Sequence, residues 1–409
     1  MAGQLQLKFV NFSKGAYIIV EGKHDADRFF IIRDGKVRIT KETEVVEEER
    51  GNLLGPGDFF GVISTMSSHS HIETARALTG VSLISVQKDQ YPQLIQQNAP
   101  VAMKIILQFS RRMRYLDEAL TKLTLRQNSE TDASRFFTIG EYYAKKNQYL
   151  QAFYAYNQYI KYNPGGPNVV TARMRMMKIA PYAKGVRLSF DEHEVLRNYV
   201  KDSMIFSEGE WGDELFIIQK GSVKITKIVD NNEVLLAVLK IGDIFGEMAL
   251  LESKPRAASA VAYEDCTVTT VNRANFEQMI AREPQIIARL TTLLSERIWS
   301  IYRQLANTLI DNPLGRMYDA LFIQLEKNRI PSKYSGSFYF DIGPDELANM
   351  VGISQAESKP ILKKLLENRI FKIVNNKIYV NNSSEIFRQS EYYKKIMHRD
   401  RSIGRNTGY

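Results

Sequence analysis

One pattern occurs twice in this chain, and it limits the folds available more than any other feature. Residues 19–40 carry Phe30-Ile31-Ile32, then Gly35, Val37 and Ile39-Thr40. Residues 205–226 carry Phe216-Ile217-Ile218, then Gly221, Val223 and Ile225-Thr226. Apolar and polar residues alternate around glycine turns in both copies, the pattern of antiparallel strands with one buried face. Each copy continues into a Gly-Asp turn, at Gly57-Asp58 and Gly242-Asp243. A Phe-Gly pair follows, at Phe60-Gly61 and Phe245-Gly246, and each copy ends in a long helical stretch. The repeat therefore predicts two β-rich domains of one fold, each closed by a helix. A chain of 409 residues leaves room for further domains between and after them.

The second Phe-Gly pair opens the stretch with the most chemistry, from Phe245 to Ala260. Gly246 has no Cβ, so backbone there can approach a ligand. Glu247 follows at once, an acceptor for sugar hydroxyls. The Met248–Leu251 turn offers a short helix start, and Arg256 offers a planar fork for two phosphate oxygens. These residues suit a small phosphorylated molecule, or else a buried Glu–Arg pair that stabilises a loop. The first copy differs at both key positions. Val62 stands where the second copy has Glu247, and His71 where it has Arg256; Ile72 and Glu73 replace Ala257 and Ala258. Glu73 would repel a phosphate. The first pocket is expected either to be a retired packing module or to hold another ligand, with His69 or His71 as a conditional cation near neutral pH.

The run Phe245-Gly246-Glu247-x-Ala249-Leu250, followed by Pro255-Arg256-Ala257-Ala258-Ser259, resembles the phosphate-binding cassette of cyclic-nucleotide-binding domains, as found in the Crp-Fnr superfamily and in kinase regulatory subunits. The resemblance implies that Glu247 binds the ribose 2′-hydroxyl and Arg256 the cyclic phosphate, with Gly246, Met248, Ala257 and Ala258 bordering it. Ala257, in place of Thr, implies cAMP as the effector rather than cGMP. Phe245, Ala249 and Ser259 complete the expected ligand set. In this family the helix after the cassette also reaches the base. Ile301 and Tyr302 stand at that position here, and an aromatic lid by Trp299 or Tyr302 is the expected substitute.

The remaining segments are mostly helical. A stripe from Ile105 through Leu123 predicts a helix over about 100–126. Phe136, Ile139, Gly140, Tyr143, Ala152, Tyr156, Tyr159 and Pro164 lie at the offsets of one tetratricopeptide repeat, with another helix over 168–179. One repeat cannot stand alone, so the segment is expected to be a spacer leaning on a neighbouring domain. Ile287, Leu290, Leu294, Ile298, Ile301, Leu305 and Leu309 form a helical seam, and a homodimer through it is expected. From Asp311 to Tyr409 there are 16 Lys and Arg against 11 Asp and Glu, part of a net charge of +9. That bias permits nucleic acid as a partner and equally fits a solvated basic surface.

Residues 346–365 resemble the helix-turn-helix of the Crp-Fnr superfamily, with Gly352 as the turn, Ser354 as a helix cap and Asn375-Asn376 as a wing turn. The reading face departs from the family: Gln355-Ala356 replaces an Arg-Glu pair and Pro360 replaces a second Arg. Candidate DNA contacts are Gln355, Ser358, Lys359, Lys363, Lys364 and Lys377. Residues 392–409 read as a flexible basic tail.

The expected architecture is α+β and multidomain. Residues 1–126 form a degenerate cyclic-nucleotide-binding-like domain and 127–185 a tetratricopeptide-like helical linker. Residues 186–310 form a second cyclic-nucleotide-binding β-roll (jelly-roll-like) with a dimerisation helix. Residues 311–390 form a winged helix-turn-helix and 391–409 the tail. The expected function is a cAMP-responsive transcription regulator that binds cyclic nucleotide and DNA. The alternative is a cAMP-sensing scaffold that does not bind DNA. No nucleophile–base pair, carboxylate pair or metal-ligand spacing points to an enzyme. With a single cysteine, Cys266, and neither a membrane span nor a signal peptide, a reducing cytoplasm is expected.

Overall fold

The computed structural model describes residues 7–41, 52–125, 134–191, 194–229, 232–353 and 355–406. The two repeats fold alike. The first comprises β1 (Lys8–Phe12), β2 (Tyr17–Ile19), β3 (Arg28–Asp34), β4 (Val37–Thr40), β5 (Leu53–Leu54), β6 (Phe59–Phe60), α1 (Val62–Ser67), β7 (Thr74–Ala77) and β8 (Val81–Gln87), and leads into α2 (Tyr91–Gln97) and α3 (Ala99–Leu125). Then come α4 (Ser134–Lys145), α5 (Tyr149–Tyr162) and α6 (Val169–Ile179). The second repeat comprises β9 (Leu196–Tyr199), β10 (Met204–Phe206), β11 (Glu214–Lys220), β12 (Val223–Val229), β13 (Asn232–Leu239), β14 (Ile244–Phe245), α7 (Glu247–Glu252), β15 (Ser259–Ala262) and β16 (Cys266–Asn272). It is followed by α8 (Arg273–Arg282) and α9 (Pro284–Thr308).

Each repeat builds two four-stranded antiparallel sheets in the same order. These are β1-β8-β3-β6 with β2-β7-β4-β5, and β9-β16-β11-β14 with β10-β15-β12-β13. The burial along β3 and β11 matches residue for residue, as it does along β8 and β16. The alternation read in the sequence is thus the pleat of one roll repeated. Phe30 stacks on Phe60 in the first core, and Phe216 on Phe245 in the second.

The C-terminal part holds α10 (Pro313–Lys327), β17 (Phe338–Tyr339), α11 (Pro344–Met350), α12 (Gln355–Glu367), β18 (Phe371–Val374), β19 (Lys377–Val380) and α13 (Ser383–Asn406). Its small sheet runs β17-β19-β18. Asn375 and Asn376 both have positive φ, as a tight two-residue hairpin turn requires, and Gly352 takes φ +65° between α11 and α12. Ser354, the expected cap, lies outside the described residues.

The compact units do not follow chain order. One unit gathers 89–115 with 127–294, so α2 and the first part of α3 pack with α4–α6 and the second roll. The other gathers 6–88, 116–126 and 295–409, so the later part of α9 packs with the first roll and the C-terminal elements. The helix leaving each roll therefore contributes to the unit that contains the other roll.

The ground for one expectation falls away here, and another is corrected. The seam on α9 does not need a second chain. Ile287, Leu290, Leu294, Ile298 and Leu305 are buried within a single chain, and Tyr91 of α2 hydrogen-bonds Thr291 at 3.1 Å. The apolar stripe thus gives no argument for a homodimer. Nor are residues 392–406 a flexible tail: they continue α13, which packs on α10. Tyr393 lies against Gly315, Met397 is buried, and Lys394 bonds the buried Asp319 at 2.8 Å. Residues 407–409 lie outside the described residues.

Candidate functional site

In the second roll, β14 ends at Gly246, whose φ of +77° turns the chain into α7. That conformation favours glycine, and space requires it too: a Cβ there would lie 2.6 Å from Arg256 Nη1 and 3.1 Å from the Phe216 ring. Arg256 is only 6% exposed. Its guanidinium lies 4.3 Å from the centroid of the Phe206 ring, and Nη1 donates to Gly246 O at 2.5 Å. On the other side, a Cβ at Gly212 would meet Nη2 at 2.5 Å. The fork is thus lodged between two glycines and an aromatic face. Its Nε is buried with no hydrogen-bond partner among the described residues. Burial pulls the Arg256 pKa below its usual value, and the carboxylates of Glu210, Glu214 and Glu247 oppose that pull. Glu247, 1% exposed, opens α7 beside it.

The backbone of Arg256 is fixed by a reciprocal pair: Arg256 N donates to Glu210 O and Gly209 N donates to Arg256 O, at 2.8 and 2.9 Å. The Glu210 side chain accepts from Ser207 N and from Tyr154 Oη of α5, at 2.9 Å each. Burial raises the Glu210 pKa against these bonds. Sequence reasoning missed Glu210, Gly212, Phe206 and Tyr154. The loop residues Glu210 and Gly212 lie beside the glycine turn of the repeat, so the only available signal was their position. Nothing in the spacing of α5 pointed to Tyr154.

Phe245, Gly246, Glu247, Met248, Ala249, Arg256, Ala257, Ala258 and Ser259 fall in one unit. Two of them have structural roles. Phe245 is a core ring stacked on Phe216, and the buried Ser259 Oγ accepts from Glu208 N at 2.9 Å.

Trp299, Ile301 and Tyr302 belong to the unit containing the first roll. Trp299 stacks on His69 with centroids 3.8 Å apart, and Tyr302 takes the Lys41 ammonium over its ring at 4.8 Å. Trp299, expected to stack on a bound base, has its ring on His69 of the first cassette.

That first cassette has filled its own anion position. Gly61 repeats the left-handed turn, with φ +80°, and its N–H donates to the Glu73 carboxylate at 3.3 Å. His71 Nε2 lies 3.3 Å from Asp25. Arg329 donates to Ser67 O and Ser68 O, at 2.6 and 2.7 Å, and lies 3.1 Å from His69 Nδ1. Burial, then Arg329 and Arg303, push the His69 pKa down to about 3, and burial lowers that of His71. His69 is therefore not the conditional cation expected near neutral pH, and burial disfavours the charged form of His71 while Asp25 and Glu73 favour it. A cavity of about 650 Å³ remains beside this loop, lined by His24, Asp25, Asp27, Arg28 and His71 among others.

In the C-terminal elements, Lys359, Lys363 and Lys364 are exposed on α12. Ser358 is 2% exposed, so it is a packing residue and not a base contact. Lys377 is ion-paired with Asp341 at the wing. Gln355 opens α12. In the helical segment, Gly140 is required by space, since a Cβ would lie 2.7 Å from the Tyr156 ring. Phe136, Ile139, Tyr143, Ala152, Tyr156 and Tyr159 form a core that extends to Met204, Ile228 and Val261 of the second roll.

Among the described residues, no group of His, Cys, Asp and Glu could hold a metal ion, and no helix is long and apolar enough to cross a membrane. Comparison with known proteins matches residues 9–98 and 196–283 to the family described as Cyclic nucleotide-binding domain. The CRP-like cAMP-activated global transcriptional regulator of Mycobacterium tuberculosis is 26% identical, over 47% of this chain and 87% of its own. The cyclic AMP receptor protein of Thermus thermophilus is 29% identical, over 48% and 86%. Among solved structures, the cAMP-bound regulatory domain of Toxoplasma gondii PKA is 18% identical, over 71% of this chain and 85% of its own, with a TM-score of 0.21.

Proposed function

We propose that this chain, a member of the cyclic-nucleotide-binding-domain superfamily with two copies of that domain, binds one cyclic nucleotide in its second roll and acts as a cAMP-responsive regulator. The observation that carries this reading is the state of Arg256. Its Nε is a buried donor without a partner among the described residues, and buried donors are almost always satisfied. A phosphate oxygen would satisfy it, with the ribose hydroxyl on Glu247. Ala257 in place of Thr favours adenine over guanine. In the first roll Val62 stands in place of Glu247, the Glu73 carboxylate takes the Gly61 N–H, and the chain supplies no arginine where the second roll has Arg256.

The output is read as transcription regulation through DNA, by analogy with the cAMP-activated regulators among the relatives. The Gly352 turn, the Asn375-Asn376 hairpin and the exposed lysines of α12 support a winged helix. A second reading, a cyclic-nucleotide-sensing scaffold that does not bind DNA, is favoured by one observation. Of the expected DNA contacts, Ser358 is buried and Lys377 is paired with Asp341. On either reading α4–α6 act as a tetratricopeptide-like docking element, since Tyr154 reaches the Glu210 loop.

Calorimetry of the full chain with cAMP and cGMP tests the site. One cAMP per chain is expected. Arg256→Ala should weaken binding about 30-fold or more, since removing one partner of a buried charged contact costs about 2–5 kcal/mol. Binding that survives Arg256→Ala overturns the assignment. DNA binding that sharpens in sequence preference with cAMP supports the regulator; sequence-blind binding indifferent to cAMP supports the scaffold.

A further inference from the structure

The loop that presents Arg256 is held by a helix from outside its own roll. Glu252, the last residue of α7, has a side chain only 2% exposed. Ser110 Oγ of α3 donates to one carboxylate oxygen at 2.6 Å, and Arg114 Nε donates to the other at 3.0 Å. Arg114 Nη1 then donates to Pro255 O at 3.1 Å. That oxygen belongs to the peptide whose nitrogen is Arg256 N, itself bonded to Glu210 O. Three bonds from one stretch of α3 thus tie down both ends of the segment 252–255. Lys254 is the other charge near this carboxylate, at 3.7 Å, and it is exposed.

The first cassette has a counterpart. Ser67 stands where the second has Glu252, and its carbonyl is gripped by Arg329. In each cassette an arginine from outside the roll holds the end of the short helix. Only in the second does that grip extend to the residue before a phosphate-binding arginine.

We propose that Ser110 and Arg114 are positioning residues for the phosphate-binding loop of the second roll, and that α3 is the element through which occupancy of that loop is passed on. The proposal rests on reading the second cassette as a cyclic-nucleotide site. A phosphate taken by Arg256 Nε pulls on the guanidinium that Gly246 O holds through Nη1. Re-aiming the fork displaces the peptide between Pro255 and Arg256, and Arg114 is bonded to that peptide. α3 runs without a break from Ala99 to Leu125 and is the helix that leaves the first roll. A ligand shifts such an element only by binding one arrangement better than another.

The test uses the full chain with cAMP as the probe. Hydrogen exchange should change across residues 106–116 on saturation with cAMP. In calorimetry Arg114→Ala should weaken cAMP about tenfold and Ser110→Ala about threefold, in the range of mutations along a coupling element. Arg114→Lys should recover most of the loss, because an ammonium still reaches Glu252. A purely structural role would leave nucleotide-dependent exchange in α3 unmoved. If wild-type protein binds cAMP while exchange at 106–116 stays constant, the proposal is overturned. The same holds if folded Arg114→Ala binds cAMP within twofold of wild type. If Arg114→Ala does not fold, Ser110→Ala and the wild-type exchange experiment decide. Wild-type protein that takes up no cyclic nucleotide overturns the site reading instead, a separate result.

Discussion

Replacing Trp299 separates a base-stacking lid from a core residue. The ring is fully buried, stacked on His69 at 3.8 Å, with the Arg303 guanidinium 5.6 Å from its centroid. Truncating a buried Trp to Ala typically costs about 3–5 kcal/mol. The indole Nε1 has no hydrogen-bond partner among the described residues, and an unsatisfied buried donor costs about 1–3 kcal/mol. Trp299→Phe removes that donor and keeps a ring against His69, so it should cost no more than about 1 kcal/mol, while Trp299→Ala should cost about 3 kcal/mol or more. Urea unfolding followed by circular dichroism gives both values. The chain has two tryptophans, and Trp211, exposed beside Glu210, becomes the sole reporter in Trp299→Phe. Its fluorescence in a cAMP titration should give an affinity within about twofold of wild type, well under 1.4 kcal/mol. A tenfold loss of cAMP affinity at unchanged stability would refute the core assignment and restore the lid.

Other perturbations test separate parts of the argument. Glu73→Ala should leave cAMP stoichiometry at one per chain in calorimetry, because releasing the Gly61 N–H supplies no cationic fork; a second site would show that Glu73 alone had silenced the first roll. Leu294→Glu should lower the melting temperature by the same amount at all protein concentrations, since the seam is buried within one chain. A change from dimer to monomer in sedimentation would contradict this. The Asp319 pKa lies below its usual value because Lys394 and Arg303 outweigh its burial. Its stabilising contribution is therefore full above about pH 4 and lost as pH falls from there through the folded value. Asp319→Ala should cost up to about 3 kcal/mol at neutral pH by removing the 2.8 Å partner of Lys394, while Arg303 keeps Glu326 at 2.8 Å, and urea titrations from pH 2 to 7 should show the wild-type advantage shrinking in acid. If the C-terminal elements bind DNA, Lys363→Ala should reduce the salt slope by about 0.9, and Lys377→Ala, already paired with Asp341, by less.

The strands were legible because pleat and periodicity share a period of two. β18 and β19 flank the expected Asn375-Asn376 turn, and the matching burial of β3 and β11 follows from one pattern written twice. The turn glycines were legible because few residues accept their φ. The compact units were not. The stripes on α3 and α9 show that each helix buries a face, and an apolar stripe carries no label for the surface that covers it. The same stripe serves a partner chain or the other roll of the same chain, and here the chain covers its own seam. The end of α13 was misread for a related reason. Its lysines and arginines look solvated in sequence, yet Lys394 bonds a carboxylate buried in α10.

The two cassettes show what a single substitution can and cannot reveal. Both place a left-handed glycine before a six-residue helix, and both return to a strand beyond it. From Glu73 alone, electrostatics forbids a phosphate, and the sequence showed that much. It did not show that the carboxylate bonds the Gly61 N–H. In the second, Ala258 stands in that position, and Arg256 is held by Gly246 O on one nitrogen and by nothing among the described residues on another. The difference between the two cassettes therefore lies at the arginine position. The first roll places His71 there, its Nδ1 buried and without a partner among the described residues, and the second places a guanidinium whose buried Nε is likewise unpaired, between two glycines that leave it room.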